Sequence, residues 1–284
     1  MNTPRSGCIR SIVSALATLV LVLAASPLRA APLTFTAIDV PGASRTAALG
    51  INARGQIVGW YISGDQVHGY LLDHGEFTTI DPPDSESTQA HGINSHGQIV
   101  GSYFDGTSLH GFLYDRGQFS TIDVPGAVRT TALGINPQGH IVGEYEDING
   151  IVHGYLLKDG TFTTIDAVPG ALFTRASAIN PQGQIVGGFF SESISGGFLW
   201  DNGVATTIDS LGIPGRFILG LFGINSRGQI LGEFFDSGSH GFLFHKGVFT
   251  PIDAPGFVGD TLTVGINSRG QIVGIMGNHG FIAQ

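Results

Sequence analysis

The chain of 284 residues has one cysteine, Cys8, and it falls within the first thirty positions. Without that segment the chain can form no disulfide and offers no thiolate ligand or thiol nucleophile. Charge is also scarce: Asp, Glu, Lys and Arg together make up 12%, and the formal net charge is −9. So acidic a chain is a poor match for nucleic acid or anionic lipid. No GxSxG nucleophile turn occurs. The "PGA" segments at 41–43, 125–127 and 169–171 are followed by neither the lysine nor the helix pattern of a phosphate-binding loop. The acidic loop "YEDING" at 145–150 does not have the spacing of a calcium loop, so no metal or cofactor is expected.

There is one long apolar run, Ile12 to Ala25. It is too short for a comfortable membrane span, and no stable membrane insertion is expected. Arg5 and Arg10 precede it and "SPLRA" follows, which is the pattern of a secretory signal peptide over 1–30 with cleavage near Ala30. Removing the segment takes away three of the 13 basic residues and no acid, so the mature charge falls to about −12. The expected destination is extracellular or periplasmic.

Gly (44 residues), Phe (19) and an apolar fraction of 42% are plentiful. They suit a strand-rich protein with tight turns and an ample core. The order within 31–284 is repetitive. An Ile-Asp pair recurs at Asp39, Asp81, Asp123, Asp166, Asp209 and Asp253, at intervals of 42 to 44. An Ile-Asn pair recurs at Asn52, Asn94, Asn136, Asn180, Asn225 and Asn267, at intervals of 42 to 45. Six copies of one period are not a chance event.

Each copy divides into four short segments, as in "TAALGIN" (46–52), "QIVGWY" (56–61), "HGYLL" (68–72) and "EFTTID" (76–81). Strands of this length with turn signals about every ten residues predict an antiparallel meander. In "INPQG" (135–139 and 179–183), Asn opens a type I turn, Pro fixes φ and Gly supplies the left-handed residue. The turns "HG", "RG", "DG", "NG" and "KG" before each fourth segment predict two-residue type I′ hairpins. A four-stranded unit of about 42 residues matches a propeller blade. The chain opens on a lone fourth segment, "LTFTAID" (33–39), and ends after a third one, "HGFIAQ" (279–284). The expected fold is therefore all-β, a six-bladed β-propeller over 31–284 with its last blade closed by the N-terminal strand. Small residues Ala47, Ala48, Gly50, Ala132 and Gly134 suit the crowded strand nearest the axis.

The repeated string "GINxxGQIVGxY…HGFLxxxGxFxxID" resembles the HAF-type extracellular repeats of bacterial secreted proteins, with Gly where Ala is more typical after the histidine. The resemblance covers essentially all of 31–284 and implies export and a repeat fold. It brings no activity and no catalytic residue.

The candidate chemistry lies in repeated and in divergent positions. His68, His110, His153, His240 and His279 open the third segments, and a two-residue hairpin would set each opposite the Asp that closes the fourth. One enzyme needs one site rather than several equivalent ones, and Gly196 replaces the histidine in the fourth copy, so these pairs read as structural clasps. The asparagines read as turn formers. Function is expected where the copies differ, in the loops at 171–175 and 210–222. These would bring Phe173, Arg175, Arg216 and Phe217 to one face, residue types that anchor interfaces. The leading expectation is a monomeric, non-catalytic binding module for an extracellular protein or glycan. The alternatives are a hydrolase or lyase acting on polysaccharide through Glu144 or Glu233, and a surface adhesive scaffold.

Overall fold

The computed structural model describes residues 33–208, 217–236, 238–255 and 260–284. The expected signal peptide with Cys8 and Ala30, together with Asp209 and Arg216, lies outside the described residues. Within them there are strands and turns and no helix.

Each repeat folds as a four-stranded antiparallel unit. In the first, Arg45–Ile51, Ile57–Ser63, Gln66–Asp73 and Glu76–Thr79 pair in sequence order. Four sheets have four strands, and one of eight consists of two such units joined by a single parallel pairing, Val152 with Phe173. The unit at the chain end takes its fourth strand from the beginning: Phe35–Ile38 pairs antiparallel with His279–Ala283, Ile38 opposite Gly280. That pairing covers two edges that would otherwise present unpaired backbone groups.

Turn chemistry follows the sequence closely. His74, Arg116, Asp159, Asn202 and Lys246 all have φ of 49–50°, and each is followed by a glycine that also has positive φ. Both central residues of a type I′ turn need this conformation. The turn at Arg116–Gly117 sets Asp115 opposite Gln118 and Gly111 opposite Ile122, so His110 comes opposite Asp123. In the Asn turns, Gly55 N–H donates to the Asn52 carbonyl, while Asn52 Oδ1 accepts from the N–H groups of Arg54 and Gln56.

The core is repetitive as well. One aromatic per unit, Tyr70, Phe112, Tyr155, Phe198, Phe242 and Phe281, has no exposed surface. Burying such a side chain is worth roughly 1.5–3 kcal/mol. Each lies against the glycine of the neighbouring "IVG" segment. At Gly143 an added Cβ would overlap the Thr131 carbonyl oxygen and come 2.8 Å from the Tyr155 ring. The recurrent glycine is thus required first by the carbonyl of the paired strand and then by the aromatic beside it.

One expectation needs correction. The sequence predicts loops at 171–175 and 210–222, but Phe173–Ile179 and Phe217–Ile224 are strands. Phe173 pairs with Phe190 and Phe217 with Phe235, and Phe173 follows Pro169-Gly170 at the spacing at which Arg45 follows Pro41-Gly42. Phe173 and Arg175 therefore belong to a first strand, and Phe217 begins another.

Candidate functional site

The five histidine–aspartate pairs form as the register requires. Nδ1 lies 2.7 Å from the carboxylate in His68–Asp81, 3.0 Å in His110–Asp123, and 2.9 Å in both His153–Asp166 and His240–Asp253. In His279–Asp39 the distance is 2.8 Å and the bond joins the two ends of the chain. Asp81 also accepts from the Gly69 N–H, and Tyr61, Tyr103, Tyr145 or Phe234 packs on the ring of the facing histidine. Some rings meet a second carboxylate: His110 Nε2 is 3.3 Å from Asp105, and His240 Nε2 is 3.2 Å from Asp236. The His240 pKa is raised, chiefly by its hydrogen bond to Asp253, against some desolvation. Among the described residues no group of three His, Cys, Asp or Glu could hold a metal.

The six asparagines do more than form turns. Asn52 Nδ2 donates to the Asn94 carbonyl oxygen at 3.0 Å, Asn94 to Asn136 at 3.1 Å, and Asn136 to Asn180 at 3.4 Å. Asn180 donates to Asn225 at 3.4 Å, Asn225 to Asn267 at 2.9 Å, and Asn267 back to Asn52 at 3.1 Å. All six are buried. Each makes its own turn and binds the next unit through the same side chain.

On the other side of this girdle lies a cavity of about 500 Å³, to which the first strands of all six units contribute. The isoleucine preceding each asparagine lines it in every unit, but nearer the opposite end the units differ. The position occupied by His91 holds Leu49, Leu133, Ser177, Phe222 and Val264 in the other copies. On the neighbouring second strand, the place of Glu144 is taken by Trp60 and Ser102 in the two preceding units. Gln89, His91, Ser102, Thr131, Glu144, Arg175 and Ser177 thus form one polar arc over three consecutive units. Leu49, Trp60, Phe222, Leu262 and Val264 form the apolar side in the other three units, while Leu109, Leu133 and Ala178 lie among the polar residues.

Part of the polar arc is internally paired, while the buried Ser177 hydroxyl has no hydrogen-bond partner. Arg175 Nε donates to Glu144 Oε2 at 2.7 Å and Nη2 to Oε1 at 3.2 Å, a bidentate ion pair across two units. The guanidinium also lies over the Phe173 ring, 5.5 Å from its centre. His91 Nε2 is 3.1 Å from Ser102 Oγ. The His91 side chain is half-buried at the cavity, and desolvation, helped by the Arg175 charge, pushes its pKa down to about 3. Across the cavity Trp60 is backed by the Arg45 guanidinium, 5.3 Å from its ring centre. Outside the lining, Glu233 is raised above the usual carboxylate range, first by burial and then by the Asp260 charge.

Of the expected interface residues, Arg175 therefore turns to the cavity, Phe173 underlies it, and Phe217 is 66% exposed. His91, Ser102, Gln89 and Trp60 were not anticipated. Aligning the first and second strands of the six units and reading down each column singles them out, because the divergence lies in the strands as much as in the loops.

No family model matches the chain, and no curated protein matches it in sequence. Solved structures do resemble it. A catalytically inactive virginiamycin B lyase from Staphylococcus aureus, crystallised with quinupristin, is similar at a TM-score of 0.54 and 11% identity, over 89% of this chain and 99% of that one. TolB from Acinetobacter baumannii is similar at 0.55 and 13% identity, over 85% of this chain and 64% of TolB. The Aleuria aurantia lectin, in complex with Fucalpha1-6GlcNAc, is similar at 0.50 and 13% identity, over 83% of this chain and 88% of the lectin. These are β-propeller proteins, and the likeness concerns the fold: this chain is a β-propeller.

Proposed function

We propose that the chain is a secreted six-bladed propeller that works as a monomeric, non-catalytic binding module, with one ligand site in the axial cavity. Six blades are supported by the six four-stranded units and by the asparagine girdle that returns from Asn267 to Asn52. The repeated motif supports placing it with the HAF-type extracellular repeats. The observation that carries the binding role is the asymmetry of the cavity. A repeat that keeps its core, turns and clasps nearly uniform departs from uniformity at its axis, with a polar arc facing an apolar one. Pockets of roughly 300–1,000 Å³ with a few convergent polar groups suit small ligands.

The electrostatics favour binding over turnover. A general base working near neutrality needs a pKa near the ambient pH. His91 is far below that, and both Glu144 oxygens are engaged by Arg175. The rival reading, a lyase or hydrolase, draws on the His91–Ser102 contact. Screening the mature protein against ester, lactone and glycoside substrates beside a thermal-shift ligand screen separates the two. Ligand-dependent stabilisation abolished by Arg175→Ala, without turnover, supports the module. Turnover lost in Ser102→Ala would replace it with the enzyme.

A further inference from the structure

Resting on the axial cavity as a ligand site, we infer that its ligand is a neutral glycoside, whose sugar hydroxyls meet the arc from Gln89 to Arg175 and whose apolar aglycone meets the wall of Trp60, Leu262 and Phe222. Neutrality follows from the charge balance. Arg175 and Glu144 cancel each other through two hydrogen bonds, and burial keeps His91 uncharged at ordinary pH. A charged ligand would be taken from water with no surplus counter-charge to meet it, a cost of several-fold to many-fold in affinity.

Hydroxyl groups follow from the mixture of partners. Ser102 and Thr131 can donate or accept, the Gln89 amide does both, and Arg175 retains donors beyond the two N–H groups given to Glu144. A sugar edge, in which every hydroxyl both donates and accepts, uses such a set fully. A ligand with acceptors alone would leave the Glu144 side unused, and one with donors alone would leave Arg175 unused. The opposite wall asks for hydrocarbon. Trp60 is steadied by the Arg45 guanidinium on its ring, and among the described residues no charged side chain lines the cavity beside Leu49, Phe222, Leu262 and Val264. One molecule joining a hydroxyl-rich ring to an apolar group satisfies both arcs at once.

The chain has two tryptophans, so Trp200→Phe leaves Trp60 as the sole indole reporter inside the mature protein. Its emission would be titrated with the phenyl glycosides of glucose, galactose and mannose, then with phenyl glucuronide, the phenyl glycoside of glucosamine, the methyl glycosides and phenol. The expected result is saturable change with at least one neutral phenyl hexoside, about tenfold weaker binding for its charged counterparts, and weaker binding for the methyl glycoside and for phenol. Gln89→Ala, which removes one partner at the edge of the arc, should weaken the hexoside by roughly three- to tenfold. Equal or tighter binding of the glucuronide, equal binding of phenol, or no response to any phenyl hexoside overturns the glycoside assignment. If a wider library of neutral and charged small molecules also leaves Trp60 unchanged, the binding-site reading itself fails. If other compounds bind there, that reading stands without the glycoside.

Discussion

Asn267 and Asn52 are separated by 215 positions, yet Asn267 Nδ2 donates to the Asn52 carbonyl oxygen at 3.1 Å. It is the link by which the girdle returns on itself. The same side chain holds its own turn, because Asn267 Oδ1 accepts from the N–H groups of Arg269 and Gln271.

Substituting one girdle asparagine should therefore cost more than a surface turn change. Asn225→Ala removes two Nδ2 donations and leaves the backbone donors of Arg227 and Gln229 without their acceptor. With about 1 kcal/mol per lost hydrogen bond, the expected loss is roughly 2–4 kcal/mol. Asn225→Asp keeps the turn acceptor but turns a donor towards the Asn267 carbonyl into a charged acceptor, and should also destabilise. Urea unfolding of both variants checks this, and a change below about 0.5 kcal/mol would put the girdle among the dispensable contacts.

Tyr155→Phe should leave the protein as stable or more stable, by up to roughly 2 kcal/mol. The Tyr155 hydroxyl is buried without a hydrogen-bond partner, and its pKa is pushed well upward by burial and by Asp123 and Glu144. Four units place Phe at this position with the same complete burial. An unpaired buried hydroxyl costs about 1–3 kcal/mol. A lower melting temperature in the variant would show that the hydroxyl has a partner in solution.

Adjacent glycines should respond in opposite ways. A Cβ at Gly187 would overlap the Arg175 carbonyl oxygen and come 2.7 Å from the Phe198 ring. Gly187→Ala should cost about 3 kcal/mol or more through overpacking. At Gly188 the nearest atom would be 3.5 Å away, the Gly220 Cα, and φ is ordinary. Gly188→Ala should fold with stability within about 1 kcal/mol of the parent. Thermal unfolding of the pair gives the comparison.

His240 makes stability depend on pH with a definite sign. Its folded pKa is raised by Asp253, so the folded state holds the proton more tightly than the unfolded one. The contribution is fully present below the unfolded value, near 6.5, and is lost as pH rises through the folded value. His240→Gln should therefore destabilise more at pH 5.5 than at pH 8.5. Chemical unfolding at both values, parent against variant, measures it. A larger penalty at the alkaline pH would reverse the assignment of the pair.

Much of the architecture was legible in the sequence because local rules repeat. The two-residue X-Gly turns set the hairpin register, and that register puts His110 opposite Asp123. The lone segment at 33–39 marked the strand that pairs with the chain end. The extents of the first strands at Phe173 and Phe217 were less legible. Pro169-Gly170 precedes Phe173 at the spacing at which Pro41-Gly42 precedes Arg45, but the divergent residues that follow read as loop, and pairing with Phe190 and Phe235 makes them strand.

By itself the sequence determined the period, the four-stranded unit, the turn types and the four histidine–aspartate clasps whose partners lie 13 positions apart in one hairpin. The fifth, His279 with Asp39, depends on the strand from the chain's beginning that completes the last unit. Tertiary structure alone decided that Arg175 turns to Glu144, 31 positions away, and that His91 faces the same cavity as Trp60. It likewise made a set of turn asparagines into a girdle. These relations depend on how one unit sits against another, and no local pattern encodes that placement. The same placement half-buries His91 at a cavity near a guanidinium and lowers its pKa, so the chemistry of the axis arises from the assembly of the units and not from any single repeat.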